Sequence, residues 1–196
     1  FFFSRRLIRA NLCLLFSRPG RYLKALRETV RLHWKNGEFL LKSLISFPQA
    51  VYFARLCRRR GIERVHGQWA TYPALTARII SILNGIPFSF TGHAHDIYLV
   101  TAGLREKIEA AEFVLTCTAD NKRYLLGLAP AVCEEKIEVI YHGVDLSRYR
   151  TRKDSHRQDQ VFRVLSVGSL FECKGFEYLI EACALLRDEG VPLACR

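Results

Sequence analysis

The feature that most constrains the fold is a regular alternation of short apolar runs with helix-patterned segments from Ile62 onwards. The apolar runs predict strands in GIERVHGQ, IPFSFTGH, FVLTCT and KIEVIYHG, and the segments between them predict helices in YPALTARIISILNG, LREKIEAAE and ADNKRYLLGL. Strands that alternate with helices indicate β-α-β units, which build a parallel sheet covered on both faces. We therefore expect an α/β fold whose ligands bind beyond the carboxyl ends of the strands.

Residues 1–61 carry a helical pattern and all of the excess positive charge. They contain 14 Lys and Arg against 2 Asp and Glu, a net +12, whereas residues 62–196 contain 16 against 17, a net −1. Within RYLKALRETVRLHWKN the spacing predicts an apolar side made of Tyr22, Leu23, Leu26, Val30 and Trp34. Such a segment is typical of docking on an anionic membrane or an acidic acceptor, and equally of a solvated basic face around a core-packing helix. No nucleic-acid-binding module is recognisable, so we expect no nucleic acid partner.

A change of composition divides the chain into two predicted domains. The polar and charged stretch 147–160 predicts a linker between an N-terminal domain, 1–146, and a second domain, 161–196. The pattern then restarts with VFRVLSVGSL as a strand, FECKG as a loop, FEYLIEACALLRDEG as a helix and VPLAC as the opening of another strand. A second α/β domain therefore begins here.

The cysteines and the chain ends suggest where the protein resides and how much of it is present. Seven cysteines, without a paired spacing, are expected to be reduced, mostly buried thiols of a cytoplasmic protein. No apolar run approaches the roughly 18 to 20 residues of a membrane-spanning helix. The chain has no methionine and opens within a helical pattern, so we expect a fragment that is truncated at both ends.

The segment FTGHAHDIY places two histidines and an aspartate directly after a predicted buried strand. Histidines at i and i+2 on a strand point to one face, so His93 and His95 would be able to share a zinc ion. Further ligands would have to come from later strand ends, where the candidates are His66, Asp120, His142 and Asp145. The alternatives are histidines with a structural role and polar groups that meet a bound ligand.

Two other segments place polar groups where a ligand would bind. In VGSLFECKGFEYLIEAC a strand that ends at Gly168, a short loop, and Lys174 and Gly175 before a helix would direct backbone N–H groups and an ammonium at one point, which suits a phosphate or diphosphate. In VIYHGVD, Gly143 permits a sharp turn and Asp145 can cap the helical turn LSRY, which also fits a purely structural turn.

Taken in order, these segments resemble the family 4 glycosyltransferases of the GT-B fold, especially the branch that builds exopolysaccharide or lipopolysaccharide, including colanic acid. The resemblance is strong from about residue 62 to the end and looser in the basic segment. It implies two Rossmann-like domains, one for the acceptor and one for a nucleotide sugar, and transfer with retention of configuration and no required metal or other cofactor.

The resemblance also implies roles for individual residues. His93 and Asp96 match catalytic positions, and His93 would contact the donor sugar and stabilise charge in the transition state. The donor diphosphate would bind at the second domain, and further positions would line the cleft. The diphosphate positions are Lys174, Gly175, Ser169 and Gly168, and the cleft positions are His66, Gly92, His142, Gly143 and Asp145.

Three positions depart from the pattern of the family. Ser169 stands where many members carry an arginine, Gln68 where histidine is frequent, and His142 where asparagine is frequent. The family's first strand with its glycine-rich turn, its later strands and its paired glutamates are absent from the sequence. We therefore expect the 196-residue fragment itself to be inactive.

The sequence thus favours a retaining glycosyltransferase that moves a sugar from a nucleotide-sugar donor to a lipid-linked or polysaccharide acceptor in bacterial surface polysaccharide synthesis. The expected location is the cytoplasm, with contact to the anionic inner face of the plasma membrane. Two alternatives stay open: a non-catalytic basic module that binds a membrane or an acceptor, and a metal-dependent hydrolase that uses His93 and His95.

Overall fold

The structure, a computed structural model, describes residues 4–149 and 161–196. The contacts of the chain divide it into two compact units, Phe1–Gly143 and Val144–Arg196, called unit 1 and unit 2 below. The domain limits expected from the sequence, 1–146 and 161–196, stay predictions. Most of the predicted linker, residues 150–160, lies outside the described residues.

Unit 1 consists of three helices followed by alternating strands and helices. The helices are α1 (Arg5–Ser17), α2 (Pro19–His33), α3 (Gly37–Arg59), α4 (Tyr72–Asn84), α5 (Leu104–Ala110) and α6 (Ala119–Leu128). The strands are β1 (Val65–Gln68), β2 (Phe88–Gly92), β3 (Val114–Thr116) and β4 (Ile137–Val139). A short 3₁₀ turn covers Glu134–Lys136 and a π-helical turn covers His95–Leu99; the 3₁₀ turn Leu146–Arg148 belongs to unit 2.

The four strands of unit 1 form one parallel sheet in the order β1-β2-β3-β4. Phe90 pairs with Gly67 on one side and with Val114 on the other, and Val114 in turn pairs with Ile137. Because each crossover between neighbouring strands contains a helix, every carboxyl end lies at the same edge of the sheet. The predicted α/β fold with a parallel, Rossmann-like sheet is confirmed.

Helix α4 connects the two apolar clusters that stabilise unit 1. Its small residues Ala74 and Ala77 pack into the sheet cluster around Phe90, Ile108 and Leu125. The other side of α4 belongs to a second cluster, which joins it to α1, α2 and α3 through Leu14, Ala25, Phe47, Val51, Leu75, Ile79 and Leu83. The basic N-terminal segment is therefore packed against the sheet domain instead of forming a separate helical body.

The apolar side predicted for α2 is only partly correct. Tyr22 and Leu26 pack against the helical cluster, but Leu23 and Trp34 are 57% and 64% exposed. The buried positions of α2 are Ala25, Thr29, Leu32 and His33. Small and polar residues lie inside because α2 packs closely on neighbouring helices, and the Thr29 hydroxyl and His33 Nδ1 are satisfied by carbonyls one turn earlier.

Unit 2 contains one β-α-β arrangement. Strands β5 (Phe162–Val164) and β6 (Leu193–Cys195) are parallel neighbours, and α7 (Phe176–Asp188) lies between them in the chain. The expectation that the first strand extends to Gly168 is wrong, because β5 pairs with only three residues of β6 and ends at Val164. In both units together, no helix of the described residues has the length and apolarity to span a membrane.

The cysteines are free but not mostly buried, so this part of the expectation is wrong. Four of the seven are exposed and three are half-buried; the half-buried ones are Cys57, Cys117 and Cys183. Most of them lie within helices or strands but on faces that reach solvent, instead of occupying the core positions that their apolar character suggested.

Candidate active site

Aromatic and imidazole rings meet at the carboxyl edge of the unit 1 sheet. Trp69 follows β1, His93 follows β2 and His142 follows β4. The ring centroids of Trp69 and His93 are 4.7 Å apart, and the rings of His93 and His142 stack with centroids 5.6 Å apart and an interplanar angle of 14°. The parallel topology alone brings these three side chains together, because they come from different strand ends.

His93 is held from two sides. Its backbone N–H donates to Asp96 Oδ1 at 2.7 Å, and its ring Nε2 lies 3.0 Å from Nε2 of the Gln68 amide. The Gln68 nitrogen is a donor only, so His93 Nε2 is the acceptor in this hydrogen bond. An imidazole with a fixed ring plane is thus presented at the sheet edge.

Asp96 is a buried carboxylate that ties two strand ends together. It is 1% exposed, and besides the His93 N–H it accepts a hydrogen bond from the backbone N–H of Ala70, just beyond β1. A carboxylate with two backbone N–H donors is strongly oriented. Asp96 therefore fixes the position of His93 relative to the end of β1, and its catalytic role stays a prediction.

Lys107, on α5, takes part in the same set of hydrogen bonds. Its side chain is buried and its ammonium donates to the carbonyl oxygen of Ala70, the residue whose N–H binds Asp96. Burial lowers the pKa of Lys107 to about 8, while the nearby charge of Asp96 opposes that shift. These hydrogen bonds join Asp96, Ala70 and Lys107 into one cluster, called the Asp96 clamp below. The sequence alone did not reveal this cluster.

Trp69 has a left-handed backbone, with φ of 93°. A bulky residue seldom adopts this conformation, which persists only where the surrounding structure requires it and is frequent at functional sites. Here the Trp69 N–H donates to the Thr91 carbonyl at 3.0 Å and its carbonyl accepts from the Ala74 N–H at 3.1 Å. These bonds hold the indole beside His93, with 45% of the residue exposed to solvent.

The expected strand geometry of the two histidines is wrong. Strand β2 ends at Gly92, and the chain enters the π-helical turn His95–Leu99 directly after His93. His95 is exposed and starts this turn, so the two rings are not on one face of a strand. The turn forms there because Asp96 folds back to bind the His93 N–H. The metal site shared by His93 and His95, and the hydrolase built on it, lose their geometric basis.

Gly92 is required by close packing at the same place. A Cβ on Gly92 would lie 2.8 Å from Cγ2 of Ile97, which is fully buried. The Gly92 carbonyl accepts a hydrogen bond from the Thr116 hydroxyl of β3 at 3.0 Å. Gly92 thus positions its neighbour His93 through the backbone and leaves room for the π-helical turn.

His66 lies within β1 and not after it, contrary to the expectation. Its two ring nitrogens bond the hydroxyls of Ser89 and Thr91 on β2, at 2.8 and 2.9 Å. Burial lowers the pKa of the imidazole. Both nitrogens are therefore engaged across the sheet, and His66 stabilises the pairing of β1 with β2.

The segment after β4 gives mixed results for the predicted cleft residues. His142 stacks on His93, but Gly143 has no left-handed backbone and an added Cβ would meet no atom within 4 Å. The sequence predicted a sharp turn that needs glycine at position 143, but the backbone observed there does not require one. Asp145, in unit 2, caps the 3₁₀ turn Leu146–Arg148 as predicted, by accepting from the Ser147 N–H at 3.0 Å. Asp120, which the sequence offered as a candidate metal ligand, forms an ion pair with Arg123 on α6.

The predicted diphosphate residues lie in unit 2 on exposed backbone. Lys174 ends a 3₁₀ turn, and Gly175, with φ of 63°, is the left-handed residue from which α7 begins. No side chain caps the start of α7. Gly168 faces this turn, since an added Cβ would lie 3.3 Å from the Phe176 ring and 4.0 Å from Lys174 Cγ. Ser169 is exposed in the same loop.

Comparison with known proteins decides the family. The model of the family described as Glycosyltransferase Family 4 matches residues 4–148, about three quarters of the chain. The chain belongs to glycosyltransferase family 4. No curated protein sequence matches it. The matched residues of this family 4 chain include the sheet edge with Trp69, His93 and His142, the Asp96 clamp and the basic helices α1 to α3, whereas Lys174 and Gly175 lie beyond them.

Trp69 and Cys117 directly follow β1 and β3, so they lie in the strand-end segments 66–69 and 116–120 where the sequence predicts ligand contacts, although it assigned them no role. Lys107 escaped the sequence reasoning. Lys107 had no such signal, because it sits in a charged helix pattern that looks solvent-exposed. Only the packing of α5 against the sheet buries it.

Proposed function

We propose that this family 4 glycosyltransferase moves a sugar from a nucleotide-sugar donor to a lipid-linked or polysaccharide acceptor, with retention of configuration, in bacterial surface polysaccharide synthesis. The observation that carries the proposal is the cluster of Trp69, His93 and His142 at the carboxyl edge of the sheet, within the residues that match the family. In open α/β sheets this edge is where ligands bind.

The chemistry proposed for His93 follows from its surroundings. A sugar that loses its nucleotide develops positive charge at the anomeric carbon and spreads negative charge over the departing diphosphate. The His93 imidazole, held by Gln68 and by the Asp96 clamp, offers a fixed polar group to the sugar without having to reorganise. The exposed Trp69 indole beside it offers an apolar face on which a sugar ring can stack.

The departing diphosphate is assigned, as a proposal, to the loop before α7. The Lys174 ammonium and the uncapped first turn of α7 provide positive charge and free N–H groups, which are the groups that stabilise a phosphate oxyanion. Ser169 adds a hydroxyl in place of a second cation, so Lys174 would be the main electrostatic partner of the leaving group. The proposed reaction requires no metal or other cofactor.

The proposal is tested by comparing two neighbouring histidines. His93→Ala, in the protein in its native sequence context, is expected to lower sugar transfer from a panel of nucleotide sugars by about 10²-fold, as loss of a preorganised polar group does. His95→Ala is the matched control, since His95 is exposed and outside the ring cluster. Equal rates for the two variants, with folded protein by circular dichroism, would contradict the role of His93. Product anomers read by NMR test retention.

A specific observation also favours contact with an anionic membrane. A groove of about 320 Å³ between α1 and α3 is lined by the arginines Arg6, Arg9, Arg55 and Arg59. Among the described residues, none of these four guanidinium groups has an ion-pair partner. On α1, the side chains of Ile8, Leu12 and Phe16 are exposed beside the groove. Four unpaired cations next to an apolar row fit lipid phosphates and acyl chains.

Vesicle binding tests this second part of the proposal. The protein is expected to sediment with vesicles that contain anionic phospholipid and to dissociate from them as the salt concentration is raised. It should not bind purely zwitterionic vesicles. The double change of Arg6 and Arg9 to Gln should weaken binding more than the double change of the exposed Lys24 and Arg27 of α2 to Gln, which removes the same charge. Binding that is indifferent to salt and to lipid charge would contradict membrane docking through the arginine groove and would leave the transferase test unaffected.

A further inference from the structure

The described residues contain one group of three side chains whose donor atoms are placed to share a metal ion. The group consists of His93, Cys117 and His142, and the ligand atoms that these three residues offer all lie within 4.8 Å of one another. We propose that this His-Cys-His group binds Zn²⁺ and that the bound ion inhibits sugar transfer by occupying His93.

The group exists because of the strand order. His93, Cys117 and His142 follow β2, β3 and β4, three adjacent parallel strands, so their side chains gather at one edge of the sheet. The stacked rings of His93 and His142 already face each other at 5.6 Å. A metal bound here would therefore link three strand ends that the core holds in register.

Two of the three ligands are already positioned by hydrogen bonds. His93 Nε2 lies 3.0 Å from the Gln68 side-chain nitrogen, and a zinc ion at this atom would replace that hydrogen bond. Cys117 Sγ accepts from the Asn121 side-chain amide at 3.5 Å, and the Asn121 carbonyl in turn accepts from the Tyr98 hydroxyl at 2.9 Å. A donor to the thiolate sulfur that is itself held by a further hydrogen bond is an outer partner of the kind that orients a metal ligand.

The distances require only a small adjustment. Zinc binds imidazole nitrogen at about 2.0 Å and thiolate at about 2.3 Å, so tetrahedral ligand atoms lie roughly 3.3 to 3.6 Å apart. Closing the present separations demands movement of about 1 Å. His142 can supply it, because it is exposed in the segment after β4 and belongs to no helix or strand.

The donor set selects the kind of metal. One thiolate and two imidazoles favour Zn²⁺ over Mg²⁺ or Mn²⁺, which prefer oxygen ligands. Three protein ligands leave one position of a tetrahedral ion open to water. On binding, a bond forms between zinc and the Cys117 sulfur, the S–H bond breaks, and its proton passes to solvent.

Inhibition follows from the identity of one ligand. The claim that zinc slows transfer rests on the proposed role of His93, because an imidazole whose lone pair is bound to zinc cannot meet the donor sugar. Zinc binding itself does not depend on that role. The two parts therefore separate experimentally.

Binding is measured on the protein as it exists, with Zn²⁺ alone by calorimetry and with Co²⁺ alone by absorption, since cobalt thiolate bonds give an intense charge-transfer band. We expect one ion per chain, a sulfur-to-cobalt band that Cys117→Ser abolishes, and zinc affinity at least about tenfold weaker in Cys117→Ser and in His142→Ala. Cys133→Ser and His95→Ala are matched controls, because both residues are exposed and outside the group, and they should bind as the unaltered chain does.

Inhibition is measured as the loss of sugar transfer on addition of Zn²⁺, reversed by a chelator. Relative to its own rate without zinc, Cys117→Ser should need at least about tenfold more zinc for half inhibition than the unaltered protein, while Mg²⁺ should have no inhibitory effect. Absence of one-to-one zinc binding, or binding that Cys117→Ser leaves unchanged, would overturn the site. Normal zinc binding with undiminished transfer would overturn the inhibitory role. If the protein in its native sequence context binds zinc but never transfers sugar, this would count against the proposed function and leave the zinc site standing.

Discussion

Unit 1 and unit 2 carry the same local pattern of strand, helix and parallel strand, but only unit 1 buries it. Phe90 in β2 is completely buried, whereas Phe162 in β5 is 64% exposed. None of the described residues of unit 2 is buried, while unit 1 contains two apolar clusters. The difference lies in the layers of structure around each sheet: α4, α5 and α6 cover the four strands of unit 1, and α7 accompanies a two-stranded sheet in unit 2.

The two units therefore position their candidate functional residues in different ways. His93 in unit 1 is fixed by burial, through the Asp96 clamp and the close contact of Gly92 with Ile97. Lys174 in unit 2 is positioned only by its own backbone, a 3₁₀ turn that ends at the left-handed Gly175. Substitutions should therefore perturb the first kind of site through packing and the second kind only through the side chain that is changed.

The largest contrast is expected between the two phenylalanines. Phe90→Ala should lower the free energy of unfolding of unit 1 by about 3 to 5 kcal/mol, because it removes a buried ring from the centre of the sheet. Phe162→Ala should change it by less than about 0.5 kcal/mol. Urea unfolding followed by tryptophan fluorescence measures this, since Trp34 and Trp69 both lie in unit 1. Equal losses for the two variants would mean that the units share one core.

The next contrast is a pH dependence that belongs to Lys107. Its pKa is about 8 in the folded chain against an ordinary 10.5, because burial disfavours the charged form. Between these values the unfolded chain binds a proton that the folded chain lacks, so the free energy of unfolding should rise with pH, by up to about 3 kcal/mol. Unfolding curves from pH 8 to 10.5 should show a rise that Lys107→Met loses and the exposed control Lys174→Met keeps. If the free energy of unfolding still rises with pH in Lys107→Met, the rise comes from other titrating groups.

The smallest contrast concerns two glycines that each precede a candidate ligand group. Gly92→Ala places a methyl 2.8 Å from the buried Ile97 and should cost about 1 to 3 kcal/mol of unfolding free energy. Gly168→Ala meets the Phe176 ring at 3.3 Å in an exposed loop, where the ring can move aside, so its effect should stay within about 1 kcal/mol. Thermal unfolding of both variants checks this. A Gly92→Ala variant as stable as the unaltered chain would show that the π-helical turn can relax.

Much of the fold was predictable because local patterns act over a few residues. The alternation from Ile62 onwards predicted the parallel sheet and the helix that became α4, and Asp145 caps its turn as predicted. The site was predictable only in part. The sequence pointed to His93 and its neighbours, but it put His95 on the same strand face, because spacing alone cannot show that Asp96 turns the chain into a π-helical turn at that point.

The sequence by itself therefore determined the class of fold, the family and the edge of the sheet at which polar residues follow strands. The tertiary structure decided which of these residues meet. It brought together Trp69, Cys117 and His142 around His93, and it buried Lys107 beneath them. The physical reason is that periodicity records which side of an element faces a core, whereas contacts between residues some 24 to 50 positions apart depend on how the strands align and pack.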